Sequence, residues 1–160
     1  MKKFVILLLT LLLLLPSCSS NSHTDGDYLL YFPNSSYLET AAIGTQSIDL
    51  PDEVPAEEAL IAALLSGPTG ETLVSPFPQN VTLRSWYVRE NVLHINLSEQ
   101  YGGLSGIALT LADCSIALTL CQLEHISGVS ITVENDPIPF RYRQILTPQD
   151  ILLPTVNPGS

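Results

Sequence analysis

Apolar positions recur along this chain in two rhythms, one near 3.6 residues and one of two, set apart by clusters of Pro, Gly, Asn and Ser. Between Pro55 and Gly70 the rhythm is helical. Ala59, Leu60, Ala63 and Leu64 fall on one face, Pro55 suits a first helical position, and Glu57 and Glu58 set negative charge against the positive end of the helix dipole. Gly67 supplies a left-handed closing residue and Pro68 forbids continuation. A second helix is predicted over Ser105 to His125. There Ile107, Leu111, Cys114, Leu118 and Cys121 keep helical spacing, while Leu109, Ile116, Leu120 and Leu123 widen the apolar surface.

The two-residue rhythm marks strands. Tyr28 to Phe32 is a strand-like run closed by the turn cluster Pro33-Asn34-Ser35-Ser36, and Tyr37 to Leu50 continues as a weaker extended segment. Thr82–Val88 and Val92–Leu97 form the clearest hairpin. Leu93, Ile95 and Leu97 alternate with His94 and Asn96, and Asn91 tolerates the positive φ of a tight turn. Gly128 opens the strand Val129 to Val133, Glu134 to Pro137 is a turn, and Ile138 to Arg143 reads as a final strand. Thr69 to Val81 is a loop anchored by Phe77, Tyr101 to Gly106 a flexible glycine-rich link, and Thr147 to Asp150 caps one helical turn before a Pro-rich tail. Together these elements predict an α+β fold, two helices packed on one face of a mostly antiparallel sheet.

The first residues lie outside that fold. Lys2 and Lys3 precede an apolar run, Phe4 to Leu15, which falls short of the roughly 20 residues that span a bilayer. It reads as an export signal. Leu15-Pro16-Ser17-Cys18 resembles a bacterial lipobox, which implies a lipid thioether on Cys18, cleavage before it and anchorage to the membrane through that lipid. The alternative is an ordinary secretory signal with a chance cysteine. The expected organisation is therefore a lipoprotein signal over residues 1–17, a polar tether over 18–27, one domain over 28–146 and a tail over 147–160. Beyond the signal only Arg84, Arg89, Arg141 and Arg143 are basic, against 16 acidic residues, a net charge of about −12. Such a surface argues against nucleic acid, which is met with clustered Lys and Arg.

Candidate chemistry is sparse. Cys121 and His125 stand four apart in the predicted helix, a spacing that suits a thiolate–imidazole dyad or half a zinc site. Cys114 and Cys121 equally suit packing as small hydrophobes, and seven helical residues hold them roughly 10 Å apart, beyond disulfide reach. His23 falls in the tether and His94 on the wet strand face. No Gly-x-Ser-x-Gly or phosphate-binding glycine spacing occurs. No catalytic group, metal site or cofactor is expected. Trp86 and Tyr101 are the candidates for an exposed aromatic platform that would bind cell-wall glycan or a small extracytoplasmic ligand; the alternative is that both pack in the core or at its rim.

Several pieces in order carry a resemblance. Tyr31-Phe32-Pro33, Ala63-Leu64-Leu65-Ser66-Gly67-Pro68-Thr69, Leu97-Ser98, Leu118-Thr119-Leu120-Cys121 and Gly128 to Val133 resemble the GerMN domain of sporulation and germination proteins and bacterial envelope lipoproteins, over about Tyr28 to Phe140. Asn96 stands where such domains often carry Asp before Leu-Ser, and Asn135-Asp136 where they often carry Asp-Gly. The resemblance implies a fold like the ring-building motifs of envelope secretion assemblies. It also implies a non-catalytic scaffold that acts by protein–protein contact, with sporulation or germination as its process. An envelope protein is the expected partner, and a second copy of the chain is another candidate.

Overall fold

The computed structural model describes residues 28–36, 42–139, 141 and 143–151. The signal segment, Cys18, the tether with His23, the first residues of the second extended segment and the end of the tail all lie outside them. Strand β1 (Tyr28–Pro33) pairs antiparallel with β2 (Ile43–Ile48), followed by helix α1 (Ala56–Ser66). Strands β3 (Leu83–Arg89) and β4 (Val92–Leu97) make the hairpin, and a 3-10 turn (Glu99–Gly103) leads into helix α2 (Gly106–Leu120). Then come β5 (Gly128–Val133), the short strands β6 (Asp136–Pro137) and β7 (Ile145–Leu146), and one helical turn, α3 (Pro148–Ile151). The chain has the α+β fold its pattern predicts.

The strands divide between two sheets, the β1–β2 pair and a sheet in the order β3-β4-β5-β6, with β7 also pairing β5. All pairings are antiparallel except β4 with β5, which run parallel. A parallel pair needs a crossover of a dozen residues or more, and the 3-10 turn with α2 supplies it. On the core face Leu93 stands beside Val129 and Ile95 beside Ile131, and α1 and α2 contribute Leu60, Leu64, Ile116 and Leu120 to the same buried cluster.

The β3–β4 and β5–β6 hairpins each turn on two residues with the dipeptide Glu-Asn. Glu90 and Asn91 have φ of 53° and 62°, and Glu134 and Asn135 have 49° and 73°. Positive φ at both central positions is the turn geometry that matches the twist of paired strands. Asn96 reinforces the second turn from the neighbouring strand. Its Oδ1 accepts the Asn135 N–H at 2.8 Å, and its Nδ2 donates to the Asn135 Oδ1 at 3.0 Å.

Three local expectations are corrected. Helix α2 ends at Leu120, with Cys121 as its cap, and not at His125. The chain turns there because Gln122 folds back onto β1. Its Oε1 accepts the Leu29 N–H at 2.9 Å and its Nε2 donates to the Leu29 carbonyl at 2.8 Å, while Thr119 Oγ1 accepts the Tyr31 N–H at 3.0 Å. These side chains occupy the edge of β1 where another strand would otherwise bond. Second, none of the described residues between Ile138 and Arg143 lies in a strand. Pro137 and Pro139 have no N–H to give a ladder, Ile138 is buried, and the Arg141 side chain turns into the core. Third, the glycine-rich link is a 3-10 turn held by Tyr101, whose side chain has no exposed surface.

Helix α2 also faces the core with different residues. Ala112, Asp113, Ser115, Ile116, Ala117, Thr119 and Leu120 are buried, whereas Ile107 is 71% exposed and Leu111, Cys114, Leu118 and Cys121 are only half-buried. The helix is apolar nearly all round, so spacing alone does not fix its rotation. Small residues inside let it approach closely, and the polar Asp113 and Thr119 turn inward because partners wait there.

Candidate functional site

The thiol and imidazole groups do not converge. With α2 ended at Leu120, His125 leaves the helix and its Nε2 meets Glu57 Oε1 on α1 at 2.8 Å. The pair ties the start of α1 to the loop after α2. Burial pushes the Cys121 thiol up to about 11, and burial followed by the negative charge of Asp113 does the same for Cys114. Both stay protonated at neutral pH, and a thiol is a poor nucleophile and metal ligand beside its thiolate. Both are free cysteines. Among the described residues no three His, Cys, Asp or Glu side chains are placed to hold a metal ion.

Trp86 and Tyr101 do not form an aromatic platform. Tyr101 lies wholly in the core, its ring 6.4 Å from that of Phe77, and its hydroxyl donates to Asp113 Oδ1 at 2.7 Å. Trp86 is half-buried and packs against the core cluster. The exposed aromatic of that strand is its neighbour Tyr87, at 52%, stacked on His94 with ring centres 4.5 Å apart. Partial burial, and then the Arg89 guanidinium, hold His94 below the usual imidazole value. Alternation along the strand sets the two side chains on opposite faces, Trp86 toward the core and Tyr87 outward.

A buried polar cluster escaped the sequence reading. Arg141 Nη2 bonds Asp113 Oδ1 at 2.6 Å, and Nη1 donates to the Ile131 carbonyl at 3.3 Å. Burial lifts the Asp113 carboxyl above its ordinary range, opposed by the Arg141 charge and by the donors that Tyr101 and Arg141 present. Burial, and then the charge of Asp113, raise the Tyr101 hydroxyl well above its usual value. A buried Asp in an apolar helix was the available signal, since such a residue requires a partner. This cluster joins the 3-10 turn, α2 and the segment after β6, and it presents nothing to solvent that could act on a substrate.

What the molecule does present is surface. A cleft of about 270 Å³ opens between the start of β1 and the β2–α1 connection, lined by Tyr28, Leu50, Pro51 and Val54 with the acidic Asp49 and Asp52. Its volume falls below the usual range for small-molecule sites. The face of the larger sheet turned away from the helices carries a row set by register, Tyr87 beside His94, Ser130 and Ile145. Strand β3 bounds that sheet, and apart from half-buried Leu83 and Trp86 its residues are exposed. Among the described residues, no helix is long and apolar enough to cross a membrane.

The family model described as sporulation and spore germination, Germane, matches residues 29–139. No curated protein matches the chain. Among solved structures, a Clostridium perfringens protein described as a candidate lipoprotein is similar at 22% identity and a TM-score of 0.54, over 76% of this chain and 87% of that one. The tandem GerMN domains of the sporulation protein GerM from Bacillus subtilis are similar at 17% identity and a TM-score of 0.61, over 77% of this chain and 46% of that one. The first GerMN domain of the same protein matches at 16% identity and a TM-score of 0.61, over 77% of this chain and 98% of that one. At these identities the structural likeness speaks to fold, and the described part of this chain corresponds to a single such domain.

Proposed function

The chain belongs to the Germane family of sporulation and spore germination, and from that premise we propose that it is a lipid-anchored, non-catalytic interaction module of the bacterial cell envelope. In this reading Cys18 carries the lipid, residues 18–27 form the tether, and the domain binds an envelope protein during sporulation or germination. The observation that carries the proposal is where the reactive groups sit. Asp113 bonds both Arg141 and Tyr101 inside the core, His125 holds Glu57, and both thiols are pushed up to about 11. The polar groups with chemistry to offer are engaged in holding the fold, which leaves surface as the working part. An acidic domain at the end of a polar tether is also repelled by anionic lipid, so the anchor would hold it near the membrane without laying it flat.

The test is crosslinking in living cells with the tagged full chain, in vegetative and sporulating cultures, followed by mass spectrometry of what is captured. Recovery of one envelope protein in stoichiometric yield, in sporulating cells, is the expected result. Capture of wall glycan alone rejects the reading in favour of a glycan-binding module. Cys18→Ala in parallel is expected to abolish incorporation of a labelled fatty acid and to release the chain from the membrane fraction.

A further inference from the structure

We infer that the outer edge of β3 is a self-pairing surface, on which two copies of this chain join their β3 strands antiparallel about a two-fold axis through Tyr87. Among the described residues β3 pairs only with β4, so its other edge is open. Which groups point outward follows from the ladder. The two-residue turn makes Arg89 and Val92 the closing hydrogen-bonded pair, so Tyr87 and Ser85 also bond inward, to His94 and Asn96. The Asn91 and Leu97 carbonyls bond toward β5, to the Ser127 and Glu134 N–H groups, as this parity requires. Trp86 and Val88 therefore hold their N–H and C=O groups toward the open edge.

The regular part of the strand runs only from Ser85 to Arg89, between the irregularity at Arg84 and the turn at Glu90. Its centre is Tyr87. A two-fold axis there pairs these five residues over their whole length, with Trp86 and Val88 of each copy exchanging N–H and C=O bonds with Val88 and Trp86 of the other. Shifting the register shortens the overlap. The same register keeps like charges apart, because Arg89 faces Ser85 of the second copy and Arg84 faces Glu90. Tyr87 and Val88, both exposed, gain cover. Two of the four arginines beyond the signal lie on this strand of a strongly acidic chain, and Arg84 is paired with Glu134 at 3.1 Å. A five-residue ribbon is a weak interface, and tethering in one membrane raises the effective concentration that it needs. The inference deepens the interaction-module reading and rests on it for that tether.

The experiment is disulfide crosslinking of the full chain in membranes from expressing cells, with Tyr87→Cys, Ser85→Cys and Arg89→Cys each compared with the parent. Facing residues of a non-hydrogen-bonded pair have Cα atoms about 4.5 Å apart, within disulfide reach. Ser85 and Arg89 each lie roughly 14 Å from their own counterparts. Tyr87→Cys is expected to give a reducible dimer, the other two single variants at least tenfold less, and co-expressed Ser85→Cys and Arg89→Cys chains to recover it. Val88→Pro added to Tyr87→Cys removes the outward N–H and is expected to abolish the dimer. Absence of dimer from both Tyr87→Cys and the mixed pair, in chains that melt like the parent, overturns the proposal, as do equal yields from all three positions. Capture of an envelope partner with no self-crosslink rejects self-pairing alone; a dimer with no captured partner rejects the partner-binding reading alone.

Discussion

Removing Arg141 tests the account of the core most severely. Its side chain is 5% exposed and bonds Asp113, itself 12% exposed, at 2.6 Å. Arg141→Met keeps much of the apolar stem and deletes the charge, which strands a carboxylate beside one remaining donor, the Tyr101 hydroxyl at 2.7 Å. Breaking such a pair from one side costs about 3–5 kcal/mol, a large share of the roughly 5–15 kcal/mol that a domain has in total. Tyr101→Phe removes only a hydrogen bond to a charged group and should cost about 1.5–3 kcal/mol. The double variant Arg141→Met with Asp113→Leu removes both charges and should recover part of the loss, less about 1–3 kcal/mol for the Tyr101 hydroxyl left without its acceptor.

Urea unfolding supplies the numbers, read as midpoint shifts at constant slope. pH supplies a second readout. Burial raises the folded carboxyl of Asp113 above its unfolded value of about 3.9, so the folded chain holds that proton more tightly. The stability linked to this group is full below the unfolded value and is lost as pH rises through the folded one. Without Arg141 the folded value climbs further, so the loss extends to higher pH in Arg141→Met than in the parent. A cost for Arg141→Met under about 1 kcal/mol, or a double variant no more stable than the sum of the single losses, would refute the buried-pair reasoning.

Three further outcomes are expected. With both thiols near 11 against an ordinary 9, thiolate at pH 8 is roughly a hundredfold scarcer, so a thiol-disulfide reagent should modify Cys114 and Cys121 about that much more slowly in the folded chain than in urea; equal rates would show the thiols to be unperturbed. Gln122→Ala leaves the Leu29 N–H and carbonyl without their partner and should cost about 1–3 kcal/mol, with faster hydrogen exchange at Leu29 as its local mark. Glu90→Asn places a residue tolerant of positive φ where φ is 53°, and should raise stability by up to about 1 kcal/mol in thermal melts.

Strands β1, β3, β4 and β5 and the first helix were legible because each carries a local instruction. Pro55, Gly67 and Pro68 bound α1, and the asparagines at 91 and 135 take positive φ in two-residue turns. Helix α2 was legible as a helix but not in its end or its rotation. Leu, Ile and Cys surround it, so no stripe stands out, and what orients it is polar: Asp113 reaches Tyr101 and Arg141, and Thr119 reaches Tyr31. Partners separated by 12, 28 and 88 residues leave no local pattern. The final strand failed for the same reason, since Arg141 exchanges a place on the ladder for a bond to a helix.

The same distant contacts explain why a site was hard to find from residue types. Aromatic, acidic and basic side chains at Tyr101, Asp113 and Arg141 are the kind that sequence reading sets aside for chemistry, and in this fold they hold α2 against the sheet. Asn96, where similar domains often carry Asp, fastens the Asn135 turn through both its oxygen and its amide, a use that needs a donor a carboxylate lacks. The position then serves the hairpin. β1 has an edge filled by Gln122 and Thr119, while β3 has an edge that no described residue fills. Open edges invite strand pairing and proteins ordinarily blunt them. Among the described residues no strand pairs the outer edge of β3, where Tyr87 and Val88 are exposed, and that is the edge on which the proposed self-pairing rests.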